Sequence, residues 1–91
     1  MIIGKVVGSV VATRKNEQLT GNKFLIIDSL KEAGFDLPHR VVAIDNVGAG
    51  VGEIVLVTLG SAAKSCLDNT CAPVDAVVVG IVDDANKISI P

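Results

Sequence analysis

A chain of 91 residues can bury one small core, and with 49% apolar residues but only two aromatics, Phe24 and Phe35, that core must be aliphatic. Eight basic against ten acidic residues give a net charge of −2, and no Lys/Arg run exceeds Arg14-Lys15. Nucleic-acid binding is therefore not expected, because it needs a basic track and usually stacking aromatics.

The N-terminus, Met1 to Lys5, has no basic stretch followed by a sustained apolar one. No run approaches the roughly 18 apolar residues of a membrane-spanning helix. A cytoplasmic, membrane-free protein of one domain spanning all 91 residues is the expectation.

The first predicted strand, Ile2 to Ala12, is rich in Val and Ile and contains Gly4 and Gly8. Interior glycines weaken a flat strand but permit the sharp coiling of a small barrel. The polar segment Thr13 to Asn22 reads as a solvated loop. Lys23 to Asp28 is the second strand. Ser29 to Arg40, with Gly34 and Pro38, is a loop with at most a helical turn at Leu30 to Ala33. Val41 to Asp45 is the third strand.

Val47-Gly48-Ala49-Gly50-Val51-Gly52-Glu53 comes next, with three glycines at alternate positions. A dinucleotide fingerprint needs G-x-G-x-x-G leading into a helix whose N-terminus meets the pyrophosphate. Here the spacing is G-x-G-x-G, and it leads into the β-branched run Ile54 to Val57. The segment reads as a loop between strands, its glycines serving positive φ or close backbone approach. No cofactor is expected.

Ile54 to Leu59 is the fourth strand. Gly60 to Leu67 is the single credible helix, with Ser61 as N-cap and alanines behind it. Asp68 to Pro73 is a loop, Val74 to Val82 the last long strand, and Asn86 to Ile90 a short terminal strand. The five main strands, leaving aside the short terminal one, with a short helix between the fourth and fifth, predict an all-β fold, a small, partly open OB-like barrel.

Ile54-Val55-Leu56-Val57 and Ala76 to Val82 do not alternate apolar with polar residues, as strands with one wet face should. Each is expected to place aliphatics on its outer face. Burying one such side chain contributes about 1.5–3 kcal/mol, so a row of them favours self-association.

No catalytic set emerges. His39 is the single histidine, and Ser61 lacks the G-x-S-x-G context of a nucleophile. Cys66 and Cys71 lack two further zinc ligands and read as ordinary thiols, so no metal site is expected. Glu53 can accept free backbone N–H groups of the glycine loop, and Asp45 and Asp75 can do similar work at strand ends.

Taken together, the segments Met1 to Lys15, Leu19 to Ile27, Val42 to Gly50, Gly52 to Val57, Gly60 to Lys64 and Pro73 to Asp83 resemble the EutN/CcmL family of bacterial microcompartment vertex proteins. The resemblance implies an OB-like barrel that forms a homopentamer, with no enzymatic activity. It also implies that this pentamer meets hexameric shell proteins at the vertices of a polyhedral shell in the cytoplasm. Arg14 and Lys15 are then candidates for rim contacts, and Gly48, Ala49, Gly50, Gly52 and Glu53 for a subunit boundary. Asp45, Ser61, Lys64 and Asp75 complete the candidate set. Lys64 stands where family members often carry Arg, and Ser65 to Ala72 matches no family pattern. The other reading of the same fold is an OB-like module for small ligands or nucleic acid.

Overall fold

The computed structural model describes residues 1–11, 23–30, 39–60, 63, 75–83 and 87–89. The predicted helix, apart from Gly60 and Ala63, lies outside the described residues, as do both cysteines, Phe35 and the loop from Thr13 to Asn22. The five strands are β1 (Ile2–Val10), β2 (Phe24–Ser29), β3 (Arg40–Asp45), β4 (Ile54–Leu59) and β5 (Ala76–Val82). They join in the order β1-β2-β3-β5-β4 and close on themselves, so the barrel is shut where the sequence suggested a partly open one.

Closure depends on two contacts that no local sequence pattern announces. Antiparallel pairing of Ile2–Lys5 with Ile54–Val57 joins β1 to β4. A parallel bridge of two pairs, Ile44 with Val77 and Asp45 with Val78, joins β3 to β5. The remaining neighbours, β1 with β2, β2 with β3 and β4 with β5, are antiparallel.

Ile2, Val6, Leu25, Ile27, Ala43, Val55, Val57, Ala76 and Val78 point inward and form the core, joined by Ala49 from the loop after β3. Gly4 faces the same interior. A Cβ there would meet Ile27 Cγ2 and come within 2.8 Å of the Asp28 carbonyl oxygen, so β1 can approach β2 only without a side chain. Beyond Val6 the β1–β2 register shifts, and Val7 is the extra residue of a β-bulge before Gly8 pairs with Ile26.

Strand ends differ from the sequence expectation by a residue or two. β1 stops at Val10, β2 starts at Phe24 so that Lys23 falls outside it, and β2 and β3 take in Ser29 and Arg40 from what read as a loop. The gain has a cause. Ser29 N–H donates to the His39 carbonyl at 2.9 Å, His39 N–H donates to Ser29 Oγ at 3.0 Å, and Arg40 pairs with Asp28 across the ladder. β5 begins at Ala76, because Asp75 lies in a bend. Lys87–Ser89, expected inside a terminal strand, are not in one.

The outer aliphatics of β4 and β5 are better covered than their composition implied. Val77 is fully buried with Ile44 and Ala63 in a second cluster on the outer face, against which Phe24 and Val79 pack. Gly80 pairs with Leu56, and the Leu56 side chain lies over it, 3.3 Å from where a Cβ would stand. Ile54, Leu56, Val79 and Val82 are consequently half-buried rather than exposed.

Candidate subunit interface

The glycine loop closes one end of the barrel, and each of its turns is set by a named residue. Asp45 ends β3 with its side chain only 3% exposed. Its Oδ1 accepts the N–H groups of Val47 at 3.1 Å and Gly48 at 3.0 Å, an Asx-type turn that bends the chain out of the strand. Gly48 has φ +83°, a conformation that costs an L-residue strain.

The loop then drops Ala49 into the core, fully buried. Lys23, just before β2, reaches across to hold it. Its Nζ donates to the Ala49 carbonyl at 3.0 Å and lies 3.8 Å from Asp45 Oδ2. The buried Asp45 carboxylate thus has both an ion-pair partner and two backbone donors, which offset its desolvation.

Gly50 to Glu53 form a β-turn in which Glu53 N–H donates to the Gly50 carbonyl at 3.1 Å. Its third residue, Gly52, has φ +94°, the type II pattern that calls for glycine. Glu53 Oε1 accepts the Gly50 N–H at 2.6 Å, so the carboxylate clasps its own turn as the sequence suggested. The turn is stitched to β1 as well. Val6 N–H donates to the Glu53 carbonyl at 2.9 Å and Gly52 N–H donates to the Val6 carbonyl at 2.8 Å.

The N–H groups of Val47, Gly48, Gly50, Gly52 and Glu53 are all used within the protein, and the chain runs from the loop straight into β4 rather than into a helix. Outward it presents Val47 and Val51, 41% and 68% exposed.

Of the predicted site residues, Asp45, Gly48, Ala49, Gly50, Gly52 and Glu53 come together in this loop. Asp75 does not join them. It lies in the bend just before β5, where its carbonyl accepts the Gly60 N–H at 2.7 Å. With His39, Val41, Val42, Leu59, Gly60 and Ala76 it lines an open groove of about 460 Å³. Arg14, Lys15, Ser61 and Lys64 lie outside the described residues.

Two exposed aliphatics are not evident from the sequence, Val7 (42% exposed) and Val42 (51%). Both sit in strands that otherwise alternate acceptably, and the usable signal is the doublets Val6-Val7 and Val41-Val42, where one member must face out. No group of acidic, histidine or cysteine side chains able to hold a metal ion occurs among the described residues. Among the described residues no helix is long and apolar enough to cross a membrane. Phe24, the one described aromatic, packs into the second cluster and offers no stacking platform.

The described residues form a small closed five-stranded barrel whose glycine loop is clamped by its own side chains. Residues 1–83 match the family described as "Ethanolamine utilisation protein EutN/carboxysome", and the chain belongs to that family. It is 47% identical over 87 residues to the carboxysome shell vertex protein CcmL of Thermosynechococcus vestitus, covering 96% of this chain and 88% of that one. The structure of Gloeobacter violaceus CcmL is similar with a TM-score of 0.86 at 46% identity, covering 99% of this chain and 90% of the other. The GrpN pentameric microcompartment shell protein from Rhodospirillum rubrum is similar with a TM-score of 0.78 at 45% identity, covering 92% and 95%.

Proposed function

We propose that this chain is a structural protein, not an enzyme: a homopentamer that caps the vertices of a bacterial microcompartment shell in the cytoplasm. The observation that carries the reading is the likeness to the Rhodospirillum rubrum shell protein, pentameric by its description, which extends over nearly the full length of both chains. The geometric logic is simple. Hexagonal tiles alone cover a plane or a tube, and fivefold units are what let such a lattice close.

In this reading the 91 residues form one barrel domain. The glycine loop lies at a subunit boundary, where backbone without side chains allows close approach. Asp45 and Glu53 hold its shape for that contact. Arg14 and Lys15 meet neighbouring hexameric tiles at the rim, and Ser61, Lys64 and Asp75 contribute further contacts.

Co-expression with the hexameric shell proteins of the same compartment tests the role. Electron microscopy is expected to show closed particles when this chain is present and open sheets or tubes when it is omitted. Closed particles in equal number without it would remove the vertex function.

A further inference from the structure

We infer that two separate surfaces of this chain, the outer face of β1–β3 and the tip of the glycine loop, meet each other between neighbouring copies. This pairing rests on the pentamer reading and says which surfaces make the ring. It begins from a row of side chains that the register places side by side. Val7 is the bulge residue on β1, Gly8 beside it pairs with Ile26 on β2, and Ile26 pairs with Val42 on β3.

The two ends of this row are uncovered and Ile26 between them is half-buried, whereas the row beside it is closed over. Phe24, Ile44 and Val77 lie one step along the same outer face, and there Ile44 is 3% exposed and Val77 0%, packed with Ala63. Val7 and Val42 are 42% and 51% exposed. Gly8 has no side chain to shield Ile26, the nearest atom to a Cβ there being Ile26 Cδ1 at 3.6 Å.

On the other side the row is bordered by charge. Lys5 pairs in register with Asp28, and Asp28 with Arg40, whose guanidinium binds the carboxylate through two hydrogen bonds of 2.6 and 2.8 Å. A dry strip with a polar border is the anatomy of a protein–protein contact in miniature.

A second copy of this chain is the occupant, on grounds of symmetry. A fivefold ring cannot be built from one self-complementary patch. It needs two different surfaces per subunit, one facing each neighbour. β2, in the middle of this face, is paired with β1 on one side and β3 on the other, so the face offers no edge there for strand addition and a neighbour meets it through side chains. Apart from Val11, just past the end of β1, the uncovered valines among the described residues fall into two groups. Val7 and Val42 lie on the sheet face, and Val47 and Val51 on the loop. One group on each copy meets the other group on the next.

The test uses two full-length variants, Val42→Asp for the face and Val51→Asp for the loop, each checked by circular dichroism for an intact barrel. Native mass spectrometry at tens of micromolar is expected to show wild-type pentamers, monomers of each variant alone, and a one-to-one dimer when the two are mixed. In that mixture a sound loop on one chain meets a sound face on the other, and no second good contact exists to extend the chain. Should Val42→Asp fail to fold, Val42→Thr keeps the shape and β-branching, and ring assembly then needs about tenfold more protein. Pentamers that persist in either variant, or two monomeric variants that form no mixed dimer, would overturn the pairing while leaving the pentamer in place. A wild-type chain that is not pentameric would overturn both.

Discussion

At the scale of single residues, glycines that look alike in the sequence carry different constraints. Gly4 is locked by a backbone atom, since its missing Cβ would come within 2.8 Å of the Asp28 carbonyl oxygen. Gly80 is opposed only by the flexible end of Leu56, at 3.3 Å. Gly4→Ala is therefore expected to destabilise by about 1–3 kcal/mol, the range for overpacking a tight core. Gly80→Ala is expected to be near neutral, because Leu56 can shift and alanine loses less chain entropy than glycine. Urea unfolding at one fixed chain concentration checks both, and equal costs would show that the β1–β2 contact is not the tighter one. The Asp28–Arg40 pair supplies a second residue-scale test. The Arg40 hydrogen bonds, and secondarily its charge, hold the Asp28 carboxyl below its ordinary value, and the same pair raises Arg40. A depressed folded-state pKa contributes stability that is present above the unfolded aspartate value and is lost as pH falls through the folded one. Because the pair is solvent-exposed, the contribution is small. An NMR titration is expected to place the Asp28 midpoint below the usual aspartate range and to move it up in Arg40→Leu. An unchanged midpoint in that variant would contradict the pairing.

At the scale of elements, the glycine loop is legible in the sequence to the extent that its parts are local. The clasp by Glu53 and the turn made by Asp45 each join residues no more than three positions apart, and the failed nucleotide spacing lies in one short run, so composition speaks directly to all of them. Stitching of the loop to Val6 and the burial of Ala49 depend on β1 arriving from elsewhere, and no pattern in Val47 to Glu53 encodes that. Coverage of β4 and β5 is hidden from the sequence for the same reason. Val77 is sheltered by the outer cluster with Ile44 and Ala63, and Gly80 by Leu56. If Glu53 shapes the loop as its 2.6 Å bond to Gly50 indicates, Glu53→Ala is expected to cost about 1 kcal/mol and Glu53→Gln distinctly less, because the amide oxygen can still accept the N–H. Identical losses in thermal unfolding would show that the acceptor is not what matters. Gly50→Val tests the loop's role in assembly. Gly50 lacks a positive φ and its Cβ would sit 3.4 Å from Glu53 Oε1, so the barrel is expected to fold while the ring weakens. Light scattering that finds undiminished pentamers at low micromolar concentration would argue that the loop is not at the boundary.

At the scale of the whole molecule, the strand order cannot be read from periodicity. Five strands are visible as β-branched runs, yet the closure of β1 on β4 and the two-pair parallel bridge between β3 and β5 are long-range contacts. The resemblance of the ordered segments to EutN/CcmL proteins supplies what local patterns lack, and the match over residues 1–83 establishes family membership. Among the described residues the uncovered aliphatics are Met1, Val7, Val11, Val42, Val47 and Val51 rather than those of β4 and β5, where the sequence placed the excess that points to self-association. The loop's Val47, Gly48 and Gly50 donors are held by its own side chains, while Val47 and Val51 stay exposed at its tip, the surface proposed above to meet a neighbouring copy. The measurement that bears most directly on the pentamer is the native mass of the purified, untagged chain by sedimentation equilibrium. Five chains per particle, independent of concentration across the micromolar range, is the predicted result. A monomer under the same conditions would contradict it.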